Sequence, residues 1–484
     1  MIGDIVGIAL ALAAFAFAGA GILLGTGTWG LARGVLRGGL CVFVGAAGAL
    51  VVLPWLVYVR IAPTLWLVLA LGAISLAAGA ALERRRGASR GAEPRVALDF
   101  LPGLVLAAPL VVLSVRAAAS VDGAYDAFSN WGLKAKLLYY AGGPLLDARI
   151  FEHSFATNGS PPVERVYPLG LPALEAVAIQ ALGGPSFKAL DLLFVAFLAG
   201  LSCVVWTLLR PIVPAWTLTA GLSLLLWMPA ARDQTLSQNA DVPLACLWVA
   251  AVLFLGHWLA TTDPRTLALA VLFSAAALAV KREGAIYAVL LWTVAAAALL
   301  VRRDGLRVIP LAAAGAVVIA TAVPWRLFVA VNDLHGHDIA LSPRRMADNL
   351  DRLPTILDHL GELAADPRYL GAIPLAALAA ALLGVHGDSR PLALGFLTLL
   401  GGLALVLGAV FVNTSNELDT TLETAGRRTL ITPALLAAVV LPLLLARLYT
   451  ARTGTQSRRP STEAAPGHGP GAAVAGTRSD LAEF

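Results

Sequence analysis

The chain has 484 residues, of which 58% are hydrophobic and only 13% are charged. Soluble globular proteins carry about 25% charged residues, and the mean hydropathy of this chain is +0.80, which excludes that class. The net charge of +5 comes largely from arginines in short loops and in the C-terminal tail. That distribution is typical of membrane topology rather than of a nucleic-acid-binding surface, so no nucleic acid partner is expected.

The apolar runs are continuous over about 17–23 residues, the length that a helix needs to cross a hydrocarbon layer of about 30 Å. Outer-membrane β-barrels instead alternate apolar and polar residues in segments of about ten. The predicted fold is therefore an all-α polytopic membrane protein of about 13 transmembrane helices. The predicted spans are 2–24, 40–59, 64–82, 97–115, 187–209, 212–229, 240–261, 265–280, 284–301, 308–330, 369–385, 391–412 and 429–447.

Basic residues between the spans predict which loops face the cytoplasm, because cytoplasmic loops collect Lys and Arg. Arginines are concentrated in 83–95, in 302–307 and at the end of the last predicted helix. This pattern places the N-terminus outside and the C-terminus inside. It also places two large polar loops, 117–168 and 332–368, on the outer face.

One apolar segment, 169–182, is predicted not to cross the membrane. It has about 14 residues, and lengths of 10–14 favour re-entrant or interfacial helices. It follows Pro168 and contains Glu175. A crossing here would place Arg302 and Arg303 outside, against the charge rule. A half-helix that returns to the outer face keeps every later loop consistent with that rule.

We expect the chain to have three parts. Residues 1–96 form N-terminal transmembrane helices, 97–447 form a transmembrane core with the two outer loops, and 448–484 form a tail. The tail is rich in Pro, Gly, Ser and Thr, a composition typical of disorder, and it is predicted to be cytoplasmic. The protein is expected in the plasma membrane, with its functional site facing outside the cytoplasm.

This predicted topology places the unusual polar residues together on the outer face. Asp122 and Asp126 open the first outer loop, and Trp131, Lys134 and Tyr167 lie further along it. Charges this close to hydrocarbon are costly, so they line cavities or pair with one another. The other members of the group lie near helix ends or between helices: Asp241, Lys281, Arg282, Glu283, Arg427 and Arg428.

These residue types suit chemistry on a lipid-linked phosphate. A carboxylate near the membrane surface can take a proton from an acceptor hydroxyl. Arginine binds phosphate through paired hydrogen bonds and lysine binds it as a point charge, and both stabilise a phosphate leaving group. Structural interpretations stay open beside this one. Asp241 fits a helix N-terminal cap, Asp122 and Asp126 fit a solvated loop start, and Arg427 and Arg428 fit interfacial anchors.

Six segments of the chain carry a further pattern by their order: YDAFSNWGLKAKLLY, VYPLGLPALEA, NADVPLACLW, VKREGAIY, VPWRLF and RRTLITP. In this order they resemble the GT-C superfamily of polytopic membrane glycosyltransferases. The nearest relatives are in bacterial glycosyltransferase family 39, which includes protein O-mannosyltransferases and lipid A aminoarabinose transferases. The resemblance covers about Arg95 to Ala446. The chain departs from family 39 in having Asp126-Ala127 in place of the commoner Asp-Glu pair, and three helices before the core rather than one.

The resemblance implies that the protein moves a sugar from a polyprenyl-phosphate donor to a glycan, lipid or protein acceptor of the cell envelope. The donor is anchored in the membrane lipid, which is a further expected partner. The resemblance implies that Asp126 acts as the catalytic base or positions the acceptor. Asp122, which is nearer the helix end and next to Gly123, is the weaker candidate by its position. The implied donor-phosphate ligands would be Lys281, Arg282, Arg427 and Arg428. The implied substrate-binding residues would be Trp131, Lys134, Tyr167, Asp241 and Glu283. No cofactor and no metal ligands are predicted, and participation of a divalent metal stays open.

Two other functions stay open at this point. A transporter or flippase is also polytopic with a polar cavity, and Asp191 inside a predicted helix favours it. Against it, the chain shows no internal repeat, which transporters usually carry. A polysaccharide polymerase or ligase that uses lipid-linked glycans would share the same outer-face chemistry.

Overall fold

The computed structural model describes residues 2–86, 96–119, 127–140, 166–332, 343–413 and 418–453. Within those residues the protein is helical, with one isolated β-bridge between Ala32 and Val96. The helices are α1 (Ile2–Thr26), α2 (Gly34–Tyr58), α3 (Leu65–Arg86), α4 (Phe100–Ala119), α5 (Gly132–Tyr140), α6 (Gly170–Leu182), α7 (Phe187–Leu209), α8 (Ala215–Trp227), α9 (Pro229–Leu236), α10 (Asp241–Thr261), α11 (Pro264–Val280), α12 (Glu283–Val301), α13 (Gly305–Val331), α14 (Pro343–Asp348), α15 (Leu353–Ala364), α16 (Ala372–Leu383), α17 (Arg390–Val412) and α18 (Ile431–Thr453). Short helical turns between Leu418 and Thr429 lead into α18.

Ten helical segments of the described chain are long and apolar enough to cross a membrane. They are α1 to α4, α7, α10, α12, α13, α17 and the continuous helical stretch that ends with α18. Four shorter apolar helices accompany them: α6, α8, α11 and α16. The predicted all-α polytopic membrane class is thus confirmed, and the chain is a multi-pass membrane protein.

The helix ends are held together at two opposite ends of the bundle. At one end, which we call the arginine face, Arg210 pairs with Asp99 at 3.1 Å and Arg307 donates to the Leu259 carbonyl at 3.2 Å. The Arg86 guanidinium likewise donates to the Gly25 carbonyl at 2.6 Å. At the other end, the Asp241 face, Lys281 pairs with Asp241. Arg86, Arg210 and Arg307 therefore lie at the same end of the bundle.

The short helix α6 has both of its ends on the Asp241 face. At its start, a Cβ on Gly170 would lie 2.4 Å from the Ala279 carbonyl, so the backbone packs directly against the end of α11. At its end, Gln180 accepts a hydrogen bond from the Leu65 amide at the start of α3. Gly183 then takes the left-handed conformation, with φ at 75°, in which glycine carries no steric penalty. These contacts agree with the predicted half-helix over 169–182.

Helices α7, α10 and α18 form the centre of the bundle, whereas α3 and α13 lie at its edge. In the most apolar window of α10, 78% of the residues are buried inside the protein, against 17% in α13. Buried Trp206, Phe254 and Phe273 fill the space between the central helices. A helix that is apolar on all sides but exposed on one is suited to lipid contact, which is the situation of α13.

The three N-terminal helices pack very closely through glycine. A Cβ on Gly19 would lie 1.9 Å from the Cys41 carbonyl, and one on Gly45 would lie 1.8 Å from the Phe15 carbonyl. Small residues allow this approach between membrane helices. Helix α2 also packs against α6, α7 and α11, so it is part of the same packed core as the helices that follow.

Among the predicted helix boundaries that differ from the observed ones, two concern the helices around Pro229 and at the end of the core. The predicted span 212–229 is divided into α8 and α9, because Met228 precedes Pro229 and takes an extended conformation with ψ at 115°, as residues before proline prefer. The last helix continues to Thr453, six residues beyond the predicted end of the core at 447. The rest of the predicted tail lies outside the described residues.

Candidate functional site

An ion cluster lies at the junction of three helices on the Asp241 face. Lys281 Nζ is 2.8 Å from Asp241 Oδ1 and 3.2 Å from Glu283 Oε1. Lys281 is extended, with φ at −150° and ψ at 154°, and separates α11 from α12. Asp241 begins α10 and Glu283 begins α12, where the partial positive charge of a helix N-terminus stabilises a carboxylate.

The cluster is buried, so each of its charges needs an opposite charge beside it. Lys281 is 8% exposed and Asp241 is 5% exposed, and an unpaired charge at that depth would be very costly. Burial lowers the pKa of Lys281, but the neighbouring carboxylates of Asp241 and Glu283 raise it by more. The pKa of Lys281 is therefore well above its usual range. Lys281 is therefore a fixed cation between two carboxylates.

A second cation and two tyrosines surround this cluster. Arg428 is close enough to interact electrostatically with both Asp241 and Lys281, and Tyr167 lies beside Lys281. The Trp248 indole nitrogen donates to the Tyr287 carbonyl at 2.9 Å, which holds α10 against α12. The two cations and two carboxylates leave the cluster close to neutral overall.

A cleft lies next to the cluster, between α2, α11, α12 and α13. We call it the arginine–aromatic cleft, because Arg282, Arg326, Trp55, Tyr58 and Trp325 line it. The Arg282 and Arg326 guanidinium groups are close enough for their charges to interact. Two like charges on one cleft repel each other, which favours an anion between them.

The aromatic side of the cleft is a stack of rings that continues along α13. The Tyr58 ring centroid lies 6.1 Å from that of Trp325, and Trp325 lies 5.5 Å from Phe328. The Trp325 indole nitrogen also donates to the Val166 carbonyl at 2.9 Å. This bond joins the end of α13 to the chain that enters α6. Tyrosine and tryptophan at helix ends are typical of the membrane interface.

The structure separates two residues that the sequence grouped together. Lys281 and Arg282 are consecutive, and both are predicted donor-phosphate ligands. Lys281 is enclosed by Asp241 and Glu283, whereas Arg282 lines the arginine–aromatic cleft. The predicted substrate-binding residues Asp241 and Glu283 therefore hold Lys281. Glu283 also keeps one buried oxygen, Oε2, with no hydrogen-bond partner among the described residues.

Three predicted substrate-binding residues lie together near the start of α5. The ring centroids of Trp131 and Tyr167 are 5.2 Å apart, and Lys134 Nζ donates to the Tyr167 carbonyl at 3.3 Å. Lys134 is 1% exposed. Pro168, next to Tyr167, lines the arginine–aromatic cleft. This group therefore connects the ion cluster and the cleft with α5.

The predicted phosphate ligands Arg427 and Arg428 are held by their backbone. Gln234 Nε2 lies 3.4 Å from both the Arg427 and Arg428 carbonyl oxygens, and the Tyr369 hydroxyl donates to the Arg427 carbonyl. Arg428 is half-buried and Arg427 is exposed. Arg428, rather than Arg427, therefore takes part in the electrostatics of the ion cluster.

The two predicted catalytic carboxylates, Asp122 and Asp126, lie outside the described residues. The described chain ends at Ala119 in α4 and resumes at Ala127. Among the described residues, no group of three or more His, Cys, Asp or Glu side chains is placed to hold a metal ion.

No protein-family model, no curated protein and no solved structure matches this chain. The function proposed below therefore rests on the geometry of the site.

The sequence analysis did not predict the aromatic wall of the cleft, which is formed by Trp55, Tyr58 and Trp325. Trp55 and Tyr58 belong to α2, which the sequence places in an N-terminal part outside the core. Their position at the end of a span was the available signal, since interfacial aromatic residues mark helix ends. Arg326 carried a second signal, because an arginine near the end of a long apolar run tends to line a cavity.

Proposed function

We propose that this protein is a glycosyltransferase that takes a sugar from a polyprenyl-phosphate donor at the Asp241 face. The observation that carries the proposal is the arginine–aromatic cleft. It places two arginines, Arg282 and Arg326, at one cleft lined by aromatic and apolar side chains at helix ends. A ligand with an anionic group on an apolar chain would pair with the arginines through its charge and would contact the aromatic and apolar side chains through its chain.

The phosphate of such a donor would lie between Arg282 and Arg326. A guanidinium donates paired hydrogen bonds to phosphate oxygens, and an anion between the two arginines removes their mutual repulsion. As the bond between the sugar carbon and the phosphate oxygen breaks, negative charge grows on the departing polyprenyl phosphate. Fixed cations at that position stabilise the developing charge without reorganising.

The polyprenyl chain would lie along the aromatic wall of the cleft, towards the lipid. Tyr58, Trp325 and Phe328 form a continuous surface between α2 and α13. Helix α13 faces outward over most of its length, with Leu327 58% exposed. A lipid-linked donor could therefore reach the cleft from the bilayer.

The sugar would lie towards the ion cluster. Glu283 Oε2 is buried and has no hydrogen-bond partner among the described residues, so it can accept a hydrogen bond from a sugar hydroxyl. Lys281 holds Glu283 in place through its other oxygen. Trp131 and Tyr167 add an aromatic surface on the side of the first outer loop.

The acceptor hydroxyl would lose its proton to Asp126 as its oxygen attacks the sugar. One carbon–oxygen bond to phosphate breaks, one carbon–oxygen bond to the acceptor forms, and polyprenyl phosphate leaves as the anion. Asp126 and its neighbour Asp122 belong to the segment between α4 and the residues that precede α5. A general base contributes roughly 10²–10⁴ in rate.

We also propose which of the shorter helices cross the membrane and which face of the bundle lies outside. With α8, α11 and α16 crossing and α6 returning to the Asp241 face, the chain crosses about 13 times, in keeping with the charge rule. The arginine face is then cytoplasmic and the Asp241 face is outside the plasma membrane. The acceptor is accordingly a glycan, lipid or protein of the cell envelope.

The decisive experiment measures sugar transfer by the purified protein in lipid vesicles. The probes are radiolabelled polyprenyl-phosphate mannose and polyprenyl-phosphate arabinose, with a cell-envelope fraction as acceptor. Asp126→Asn is expected to lower transfer by roughly 10²–10⁴-fold, while Asp122→Asn stays near the unmodified protein. Transfer that stays normal in both variants would contradict the catalytic assignment, and binding of neither donor would contradict the function.

A buried acid supports a second candidate, a proton-coupled transporter. Glu175 in α6 is fully buried, and both of its carboxylate oxygens lack a hydrogen-bond partner among the described residues. Ionisable groups inside membrane proteins often carry protons. A proton-coupled transporter would acidify its vesicle lumen when a substrate is added, and Glu175→Gln would abolish that signal. A glycosyltransferase would show neither effect.

A further inference from the structure

An apolar groove lies at the other end of the bundle, between α10, α12, α17 and α18. Its walls are apolar apart from one cation, Arg302, which lies at the end of α12 on the arginine face. Nothing in the proposed transfer reaction uses this groove. It is separate from the arginine–aromatic cleft, which shares none of its lining residues.

We propose that this groove binds one acyl chain of an anionic phospholipid from the leaflet at the arginine face, with the lipid phosphate on Arg302. The proposal does not depend on the function proposed above.

The depth of the groove matches one leaflet. On α12 its lining runs from Leu291 to Arg302, which is about 16 Å at 1.5 Å per residue. Half of a hydrocarbon layer of about 30 Å is about 15 Å. An acyl chain that begins at the headgroup level and ends at the midplane therefore fills the groove. The chain of a polyprenyl carrier is longer than one leaflet and fits the dimension less well.

Charge favours an anionic headgroup. Arg302 is exposed at the mouth of the groove, and Arg390 immediately precedes Pro391, which lines the same mouth. Arg307 is already paired with Asp304 at 2.8 Å. A phosphate at this position meets arginine donors at its own depth in the membrane.

Helices α12 and α17, which form two walls of the groove, also carry exposed apolar side chains. Leu300 on α12 is 64% exposed and Leu394 on α17 is 51% exposed. Between these helices, Gly395 lines the groove, and a Cβ at that position would meet no atom within 4 Å. A larger side chain at 395 would therefore occupy the groove without striking the backbone of a neighbouring helix.

Native mass spectrometry of the detergent-purified protein tests the proposal. The probes are phosphatidylglycerol and phosphatidylcholine with identical acyl chains. We expect the unmodified protein to retain phosphatidylglycerol preferentially. Gly395→Phe should lower the retention of both lipids by about tenfold, and Arg302→Gln should lower phosphatidylglycerol alone by about tenfold, which corresponds to one charge-assisted hydrogen bond.

The chain offers a matched control for each variant. Gly401 lies on the same helix, a Cβ there would also meet no atom within 4 Å, and the residue does not line the groove, so Gly401→Phe should keep normal retention. Arg303→Gln controls for Arg302→Gln in the same way. Equal retention in each pair, or no preference for phosphatidylglycerol, would overturn the proposal. Preferential retention of added polyprenyl phosphate would assign the groove to the carrier instead.

Gly395→Phe could also act by unfolding the protein, which thermal unfolding in detergent would show. In that case the Arg302→Gln and Arg303→Gln pair decides alone, since both side chains are exposed and neither change creates a cavity.

Discussion

Lys281 and Arg282 are neighbours in the chain, and their charged groups lie in different surroundings. The Lys281 ammonium is 2.8 Å from Asp241, while Arg282 lines the arginine–aromatic cleft with Arg326. The helix break between α11 and α12 makes this possible, because an extended residue directs consecutive side chains to opposite sides. One short turn therefore supplies a buried, ion-paired cation and a cation at the cleft.

The first prediction concerns the stability of the ion cluster. Lys281→Met leaves Asp241 and Glu283 without their shared partner, and breaking a buried ion pair in this way costs about 3–5 kcal/mol. Adding Asp241→Asn and Glu283→Gln to the same protein should recover most of that loss. Unfolding by SDS titration measures both effects.

The exposed pair Arg368–Asp233 provides the control for this experiment. Its groups are 2.8 Å apart, and their side chains are 43% and 50% exposed. Exposed pairs contribute about 0–1 kcal/mol, so Arg368→Gln should change the free energy of unfolding little. An equal loss in Lys281→Met and Arg368→Gln would show that burial gives the Lys281 pair no special weight.

The second prediction concerns pH. The folded pKa of Lys281 is raised well above its usual range, whereas an unfolded lysine titrates near about 10.4. A raised folded pKa gives stability that is fully present below the unfolded value and is lost as pH rises through the folded value. The stability difference between the unmodified protein and the triple variant Lys281→Met, Asp241→Asn, Glu283→Gln, which carries none of the three titrating groups, should therefore be constant from about pH 6 to about pH 9. Thermal unfolding across that interval checks it, and a difference that already shrinks between about pH 7 and about pH 9 would contradict it.

The predicted half-helix and the predicted grouping of polar residues both depend on local features of the sequence. Segment length, Pro168 and the arginines of neighbouring loops are read directly from the chain. The outcome for α6 follows from contacts at Gly170 and Gln180, which lie at the same end of the bundle. Alternation of helix ends then fixed where each later loop lies.

The pairing inside the site could not be predicted in the same way. Asp241 and Lys281 are forty positions apart, and their contact depends on how α10 packs against the end of α11. The sequence showed two phosphate-binding candidates at Lys281 and Arg282, with no means of deciding which one a carboxylate would occupy. The contribution of Tyr58 was missed for a related reason, since only packing shows that α2 adjoins α11 and α13.

The third prediction concerns membrane sidedness. Gly184 follows α6 on the Asp241 face and Gly305 begins α13 on the arginine face, and a Cβ at either position would meet no atom within 4 Å. Gly184→Cys and Gly305→Cys should therefore fold normally. A membrane-impermeant maleimide added to intact cells should label Gly184→Cys and leave Gly305→Cys unlabelled until the cells are opened.

Cysteine labelling also tests the half-helix. Ser160→Cys, before α6, should label from the same side as Gly184→Cys, because α6 returns to the face from which it starts. The native thiols of Cys41 and Cys246 are buried and that of Cys203 is partly buried, so labelling in a Cys203→Ser protein should show low background. Labelling of Ser160→Cys and Gly184→Cys from opposite sides would make α6 a crossing helix and reverse the assignment of every later loop.

The last prediction concerns Arg326 and rests on the proposed phosphate site. Arg326 and Arg282 repel each other across the cleft, so Arg326→Gln should leave the thermal midpoint unchanged or raise it. The same change removes one charge-assisted hydrogen bond to phosphate and should weaken binding of polyprenyl phosphate by about tenfold. Such opposite effects on stability and binding are typical of functional residues held in unfavourable surroundings. Equilibrium binding of radiolabelled polyprenyl phosphate, beside thermal unfolding of the same samples, separates the two effects.

Arg303→Gln, which removes an arginine from the opposite face, should leave binding unchanged. Loss of thermal stability in Arg326→Gln with normal binding would identify Arg326 as a structural residue and remove it from the phosphate site.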